Sequence, residues 1–181
     1  MKGVVFVELL EMAEDRFGAE AVDAALEACP LSTGGAYTRV GNYPCGELLA
    51  IVEALGAVAD TPPDALQRSF GHWMMRHFAR AYPQIVARHA DAFSMLEAIE
   101  AEVHVEVRKL YPNAELPRFE TERPAPGRLR MTYRSPRPLG AFCHGLIEAC
   151  LAHFCAEGRV ENRGPAPGDP RSVVFDVSAA A

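Results

Sequence analysis

Apolar residues recur every three or four positions through most of the first hundred residues, a spacing that predicts helices. Lys2 to Phe17 places Val5, Phe6, Leu9, Leu10 and Ala13 on one face, while Glu8, Glu11, Glu14 and Asp15 interrupt at helical intervals and Gly18 ends the run. Glu20 to Cys29 forms a second helix that stops before Pro30. Gly34, Gly35, Gly41 and Pro44 mark Leu31 to Pro44 as a loop, and a third helix follows from Gly46 to Ala59. Thr61 and Pro62 read as the cap and first turn of a longer helix that carries SFGHWMMRHFARAY to the break at Pro83. On it Phe70, Met74, Phe78 and Ala81 share one face, as do Trp73 and His77. Two shorter helices, Gln84–His89 and Asp91–Ala98, follow.

At Arg118 the pattern changes. RFETERP and RLRMTYRS read as two strands around a tight PAPG turn, and Pro138 to Cys155 returns to helix. Gly158–Arg163 and Ser172–Val177 are two further strands around PAPGDP, and Ser178 to Ala181 is expected to be loose. The expected architecture is α+β in a single domain over residues 1–181. An N-terminal helical layer, residues 1–60, packs on residues 61–181, which hold a small antiparallel sheet of about four strands plus helices.

Between the two regimes lies EAEVHVEVRKLYPNAELPRF, Glu100 to Phe119. Ile99, Val103, Val107 and Leu110 would share a helical face with His104 at its edge, yet Val103, Val105 and Val107 also alternate as a strand would. Periodicity leaves both readings open. Further on, Tyr133, Ser135 and Arg137 stand two apart in MTYRSPR, and Pro138 biases Arg137 to an extended backbone, so the three would point to one side. A guanidinium beside two hydroxyls is suited to acidic groups. A histidine to hold a metal and a clamp for two carboxylates would together suit heme. Taken singly, such a histidine is most often a hydrogen-bonded core residue, and such a run the solvated face of a strand.

Composition narrows the field. A 181-residue chain with 49% apolar residues can bury a sizeable core, and a net charge of −6 with no dense Lys/Arg run argues against nucleic acid. The acidic residues of the first helix distinguish it from a signal peptide, and no apolar segment is long enough to span a membrane. Five cysteines without a compact framework point to a reducing cytoplasm. Cys143, His144, Cys150, His153 and Cys155 form a rival candidate for a zinc or thiol redox site. No Cys/His pair has an activating context, so no enzyme is expected.

Several segments together resemble the heme nitric oxide and oxygen binding (H-NOX) domains, the bacterial relatives of the sensor domain of soluble guanylate cyclase. They are MKGVVFVELLEMAEDRFG, GGAYTRVGNYP, SFGHWMMRHFARAYP, HVEVRKLYPNAELPRF, YRSPR and FCHGLIEA, and they run through nearly the whole chain. The resemblance implies heme b buried between the two portions, with His104 on a helix as the proximal iron ligand. It implies that Tyr133, Ser135 and Arg137 hold the propionates, and that Pro117 presses on the porphyrin. Val5, Leu9, Met74, Phe78, Phe142 and Leu146 would line the distal gas site. Members that hold oxygen use a distal tyrosine, and the matching position here is Phe142, so selection of nitric oxide over oxygen is expected, with carbon monoxide as a further ligand. His144, two positions from Phe142, should face elsewhere on the same helix. With no output domain in the sequence, the signal is expected to pass to a separate protein, for which the family precedent is a histidine kinase or a diguanylate cyclase/phosphodiesterase.

Overall fold

The computed structural model describes residues 1–179. Helices α1 (Gly3–Phe17), α2 (Ala19–Glu27), α3 (Cys45–Val58) and α4 (Pro63–Ala81) are followed by the short α5 (Pro83–Val86) and α6 (Ala92–Glu97). A π-helical turn, Ile99–Val103, then leads into α7 (His104–Leu110). The hairpin β1 (Arg118–Ala125) and β2 (Arg128–Arg134), helix α8 (Gly140–His153), and strands β3 (Gly158–Asn162) and β4 (Ser172–Ala179) complete the chain. The sheet is four-stranded and antiparallel in the order β1-β2-β4-β3. This is the expected α+β fold.

Local chemistry explains most boundaries. Gly18, at φ +86°, caps α1 by returning its N–H to the Glu14 carbonyl at 2.9 Å. Asp91 and Ser94 close a reciprocal capping box that starts α6. Thr61 is not the cap of α4; its hydroxyl turns back to the Ala59 carbonyl at 3.0 Å, and the helix begins two residues later. In β2, Leu129, Met131 and Tyr133 alternate inward and meet Phe175 and Val177 of β4 across the pleat. β4 extends to Ala179, so Ser178 and Ala179 belong to the sheet and not to a loose tail; Ala180 and Ala181 lie outside the described residues.

The core has two clusters. One unites α1, α3 and the inner face of α4 around Phe6, Leu9, Ile51, Phe70 and Met74. The other joins α6 and α8 to the sheet around Leu96, Met131, Tyr133, Ile147 and Phe175. Leu146 of α8 packs against both. Helices α4 and α8 meet through glycine: a Cβ on Gly145 would stand 2.0 Å from the Arg68 carbonyl oxygen, and one on Gly71 would stand 2.3 Å from that of Phe142.

Candidate functional site

The structure places Glu100 to Leu110 in helix, which removes the strand reading. The expected apolar stripe is only partly formed, because the π-helical turn rotates the two halves against each other: Ile99 and Val103 pack against the sheet cluster, whereas Leu110 is 55% exposed. His104, the first residue of α7, is buried. Its Nδ1 lies 3.1 Å from Oε1 of Glu100, and the same oxygen accepts the Phe119 N–H at 3.0 Å. A carboxylate only accepts, so Nδ1 carries the proton and Nε2 keeps its lone pair. Burial pushes the imidazole pKa down against the opposing pull of Glu100, which favours the neutral ring. Phe119 lies between the two polar features, its ring tilted to both, 5.8 Å from the His104 ring and 5.5 Å from that of Tyr133.

Tyr133, Ser135 and Arg137 do come together, though not as a strand. β2 ends at Arg134, and the Ser135 hydroxyl accepts the Arg137 N–H at 3.1 Å, which bends the chain. Tyr133 is buried, and burial pushes its phenol up to about 12 despite the hydrogen bond of Ser135 and the nearby charge of Arg137. The Arg137 side chain is 15% exposed; Nη1 donates to the Glu115 carbonyl at 2.7 Å and Nη2 to the Glu115 carboxylate. Pro117 is half-buried in the segment between α7 and β1.

Across the helical cluster, Val5, Leu9, Met74, Phe78, Phe142 and Leu146 pack together, with Leu9 and Met74 fully buried and the Phe142 ring 5.0 Å from that of Phe70. The polar side chains beside them are engaged elsewhere. Glu8, expected on the outer face of α1, is 2% exposed and accepts from Trp73 Nε1 at 2.7 Å and Arg39 Nη1 at 2.5 Å, with His77 Nδ1 at 2.8 Å.

The haem-NO-binding family model matches residues 2–162. The chain belongs to the H-NOX family. Its fold superposes with a TM-score of 0.93 on the Fe(II) unliganded H-NOX protein from K. algicida, which is 34% identical over 100% of this chain and 97% of that one. The H-NOX protein of Shewanella woodyi, solved in the Fe(II)CO state with IWP-051 bound, is 37% identical over 99% of this chain and 95% of that one, with a TM-score of 0.83. A third H-NOX protein, from S. oneidensis in the Fe(II)NO state, shares the fold at a TM-score of 0.89 and 22% identity over the whole of both chains. Comparison with curated proteins returned no match.

The donor set suits the heme that an H-NOX domain carries. A buried neutral imidazole with Nε2 unprotonated is the form that ligates iron, and a guanidinium beside two hydroxyls suits carboxylates. The rival site does not assemble: among the described residues no three His, Cys, Asp or Glu side chains are placed to hold a metal ion. Cys143 and Cys150 are buried, and burial pushes both thiols up, Cys150 to about 12. His144 turns from Phe142 toward the sheet, with Nε2 3.2 Å from the Val160 carbonyl oxygen and its ring 5.5 Å from Phe175. Glu100, Phe119 and Glu115 escaped sequence reasoning. Only Glu100 left a signal, the four-residue spacing that brings it onto His104. Among the described residues no helix is long and apolar enough to cross a membrane.

Proposed function

We propose that this H-NOX protein is a nitric oxide sensor that binds the gas at ferrous heme b and signals to a separate protein. The observation that carries the heme site is the Glu100–His104 pair, which leaves Nε2 of a buried ring with a lone pair and a fixed direction. In this reading His104 is the proximal ligand, and Tyr133, Ser135 and Arg137 hold the propionates, with Pro117 against the ring. The two core clusters supply opposite walls. Ile99, Val103 and Phe119 belong to the sheet side, and Val5, Leu9, Met74, Phe78, Phe142 and Leu146 to the helical side. Bound heme supplies an iron that takes a diatomic gas.

Selectivity follows from the distal wall. Its six side chains carry no hydroxyl or N–H, and the ring N–H groups of Trp73 and His77, on the same helix as Met74 and Phe78, face Glu8. Oxygen gains from a donor as charge builds on it, and nitric oxide needs little such help. Carbon monoxide would enter for the same reason. Transmission would run through α7 and the helical layer, toward a histidine kinase or a cyclic-dinucleotide enzyme. The deciding experiment is the absorption spectrum of the ferrous protein under argon, in air and with nitric oxide. A change with nitric oxide and none in air is expected, whereas a stable oxygen complex would overturn the selectivity. His104→Gly should lose heme unless imidazole is supplied; unchanged heme retention would remove His104 from its role.

A further inference from the structure

The turn before His104 holds two hydrogen-bond registers at once. The Ala98 carbonyl accepts the Glu102 N–H at 2.8 Å, four residues on, and the Val103 N–H at 3.3 Å, five residues on. The His104 N–H returns to Ile99 in the wider register. A π-turn is an α-helix with one extra residue, and moving that residue along by one position turns the affected side chain by roughly 100° about the axis. The direction of the Glu102 side chain therefore reports the register, and so does the height at which His104 is presented.

One buried group faces Glu102. The His89 side chain, just after α5, is 5% exposed, and its Nε2 has no hydrogen-bond partner. The nearest acidic oxygen is Oε2 of Glu102 at 3.8 Å, and the Glu102 side chain is 43% exposed and has room to move. A buried ring nitrogen without a partner is unfavourable, and the only closure needed here is a small rotation of Glu102. A donor N–H aimed at a carboxylate gives a charge-assisted bond.

We propose that His89 is a positioning residue for the proximal turn: its Nε2–H engages Glu102 and so holds the register in which His104 is presented. The proposal rests on His104 being the proximal heme ligand. The test uses the full, heme-loaded ferrous protein and its His89→Ala, Glu102→Ala, double and His89→Gln variants. Two signals are read: amide exchange at residues 102–104 and the iron–histidine stretching band. Each alanine variant should speed exchange about tenfold and shift the band, the size expected for loss of one charge-assisted bond. The double variant should do no more than either single, because both remove one contact. His89→Gln, which returns an N–H near the Nε2 position, should restore both signals. Unchanged exchange in His89→Ala, additive effects in the double variant, or no rescue by glutamine would each overturn the proposal. Absence of an iron–histidine band in the unaltered protein would instead remove the His104 reading, and the exchange measurements would still decide the His89–Glu102 contact.

Discussion

Glu100 does for His104 what the ring cannot do alone. It fixes the tautomer and the angle of the imidazole, and its negative charge makes the opposite nitrogen a better donor to a metal. Glu100→Ala should therefore release heme to a scavenger protein about 10- to 100-fold faster, the usual cost of losing such a partner. Glu100→Gln, which still accepts from Nδ1–H, should fall between; equal rates in all three proteins would show that the contact is incidental. The two residues stand four apart, so the pairing was legible once a helix was assumed. Glu8 was not legible in the same way. Its spacing matches the exposed acids of α1, but its partners Arg39 and Trp73 lie 31 and 65 positions away, and only tertiary packing brings them to it.

At the scale of elements, hydrophobic periodicity and turn signals outlined the helices and strands on either side of the site, but left α7 open between helix and strand and missed the irregularities that shape the site. The π-turn is invisible to a 3.6-residue template, and the end of β2 at Arg134 depends on a serine hydroxyl that competes with the ladder. The loop between α2 and α3 is held by a buried acid that turn chemistry alone did not mark. Glu47 accepts from the Ser32 N–H and hydroxyl, the Thr33 hydroxyl and the Tyr37 hydroxyl, at 2.5 to 3.0 Å. These bonds, led by the Ser32 hydroxyl, hold its carboxyl down at about 2, below an unfolded value near 4.5. Its contribution is thus full above pH 4.5 and lost as pH falls toward 2. Glu47→Gln should lower stability at neutral pH and flatten acid unfolding across that window; parallel curves for the two proteins would refute the assignment. Where α4 crosses α8, Gly145→Ala must push the helices apart, since the new Cβ meets the Arg68 backbone. Overpacking of this kind costs about 1–3 kcal/mol, which scanning calorimetry would read as a lower Tm.

In the molecule as a whole, two clusters of apolar side chains meet along α4 and α8, and the proposed clamp lies on the chain between them. Tyr133 packs in the sheet cluster and Leu139 in the helical one, with Ser135 and Arg137 in the bend that joins them. A group held there and by His104 binds only when both clusters are in place, so its binding free energy adds to the stability of the folded chain. Heme-loaded protein should therefore unfold at a higher temperature than heme-free protein. Arg137→Ala should narrow that gap by removing a contact worth about 1.5–3 kcal/mol, or roughly 3–12 °C for a chain of this size. The comparison controls for the Glu115 pair, because loss of that pair lowers heme-free and heme-loaded protein alike, whereas loss of a propionate contact lowers only the loaded form. Equal shifts in both forms would assign Arg137 to the Glu115 pair alone and leave Tyr133 and Ser135 as the clamp.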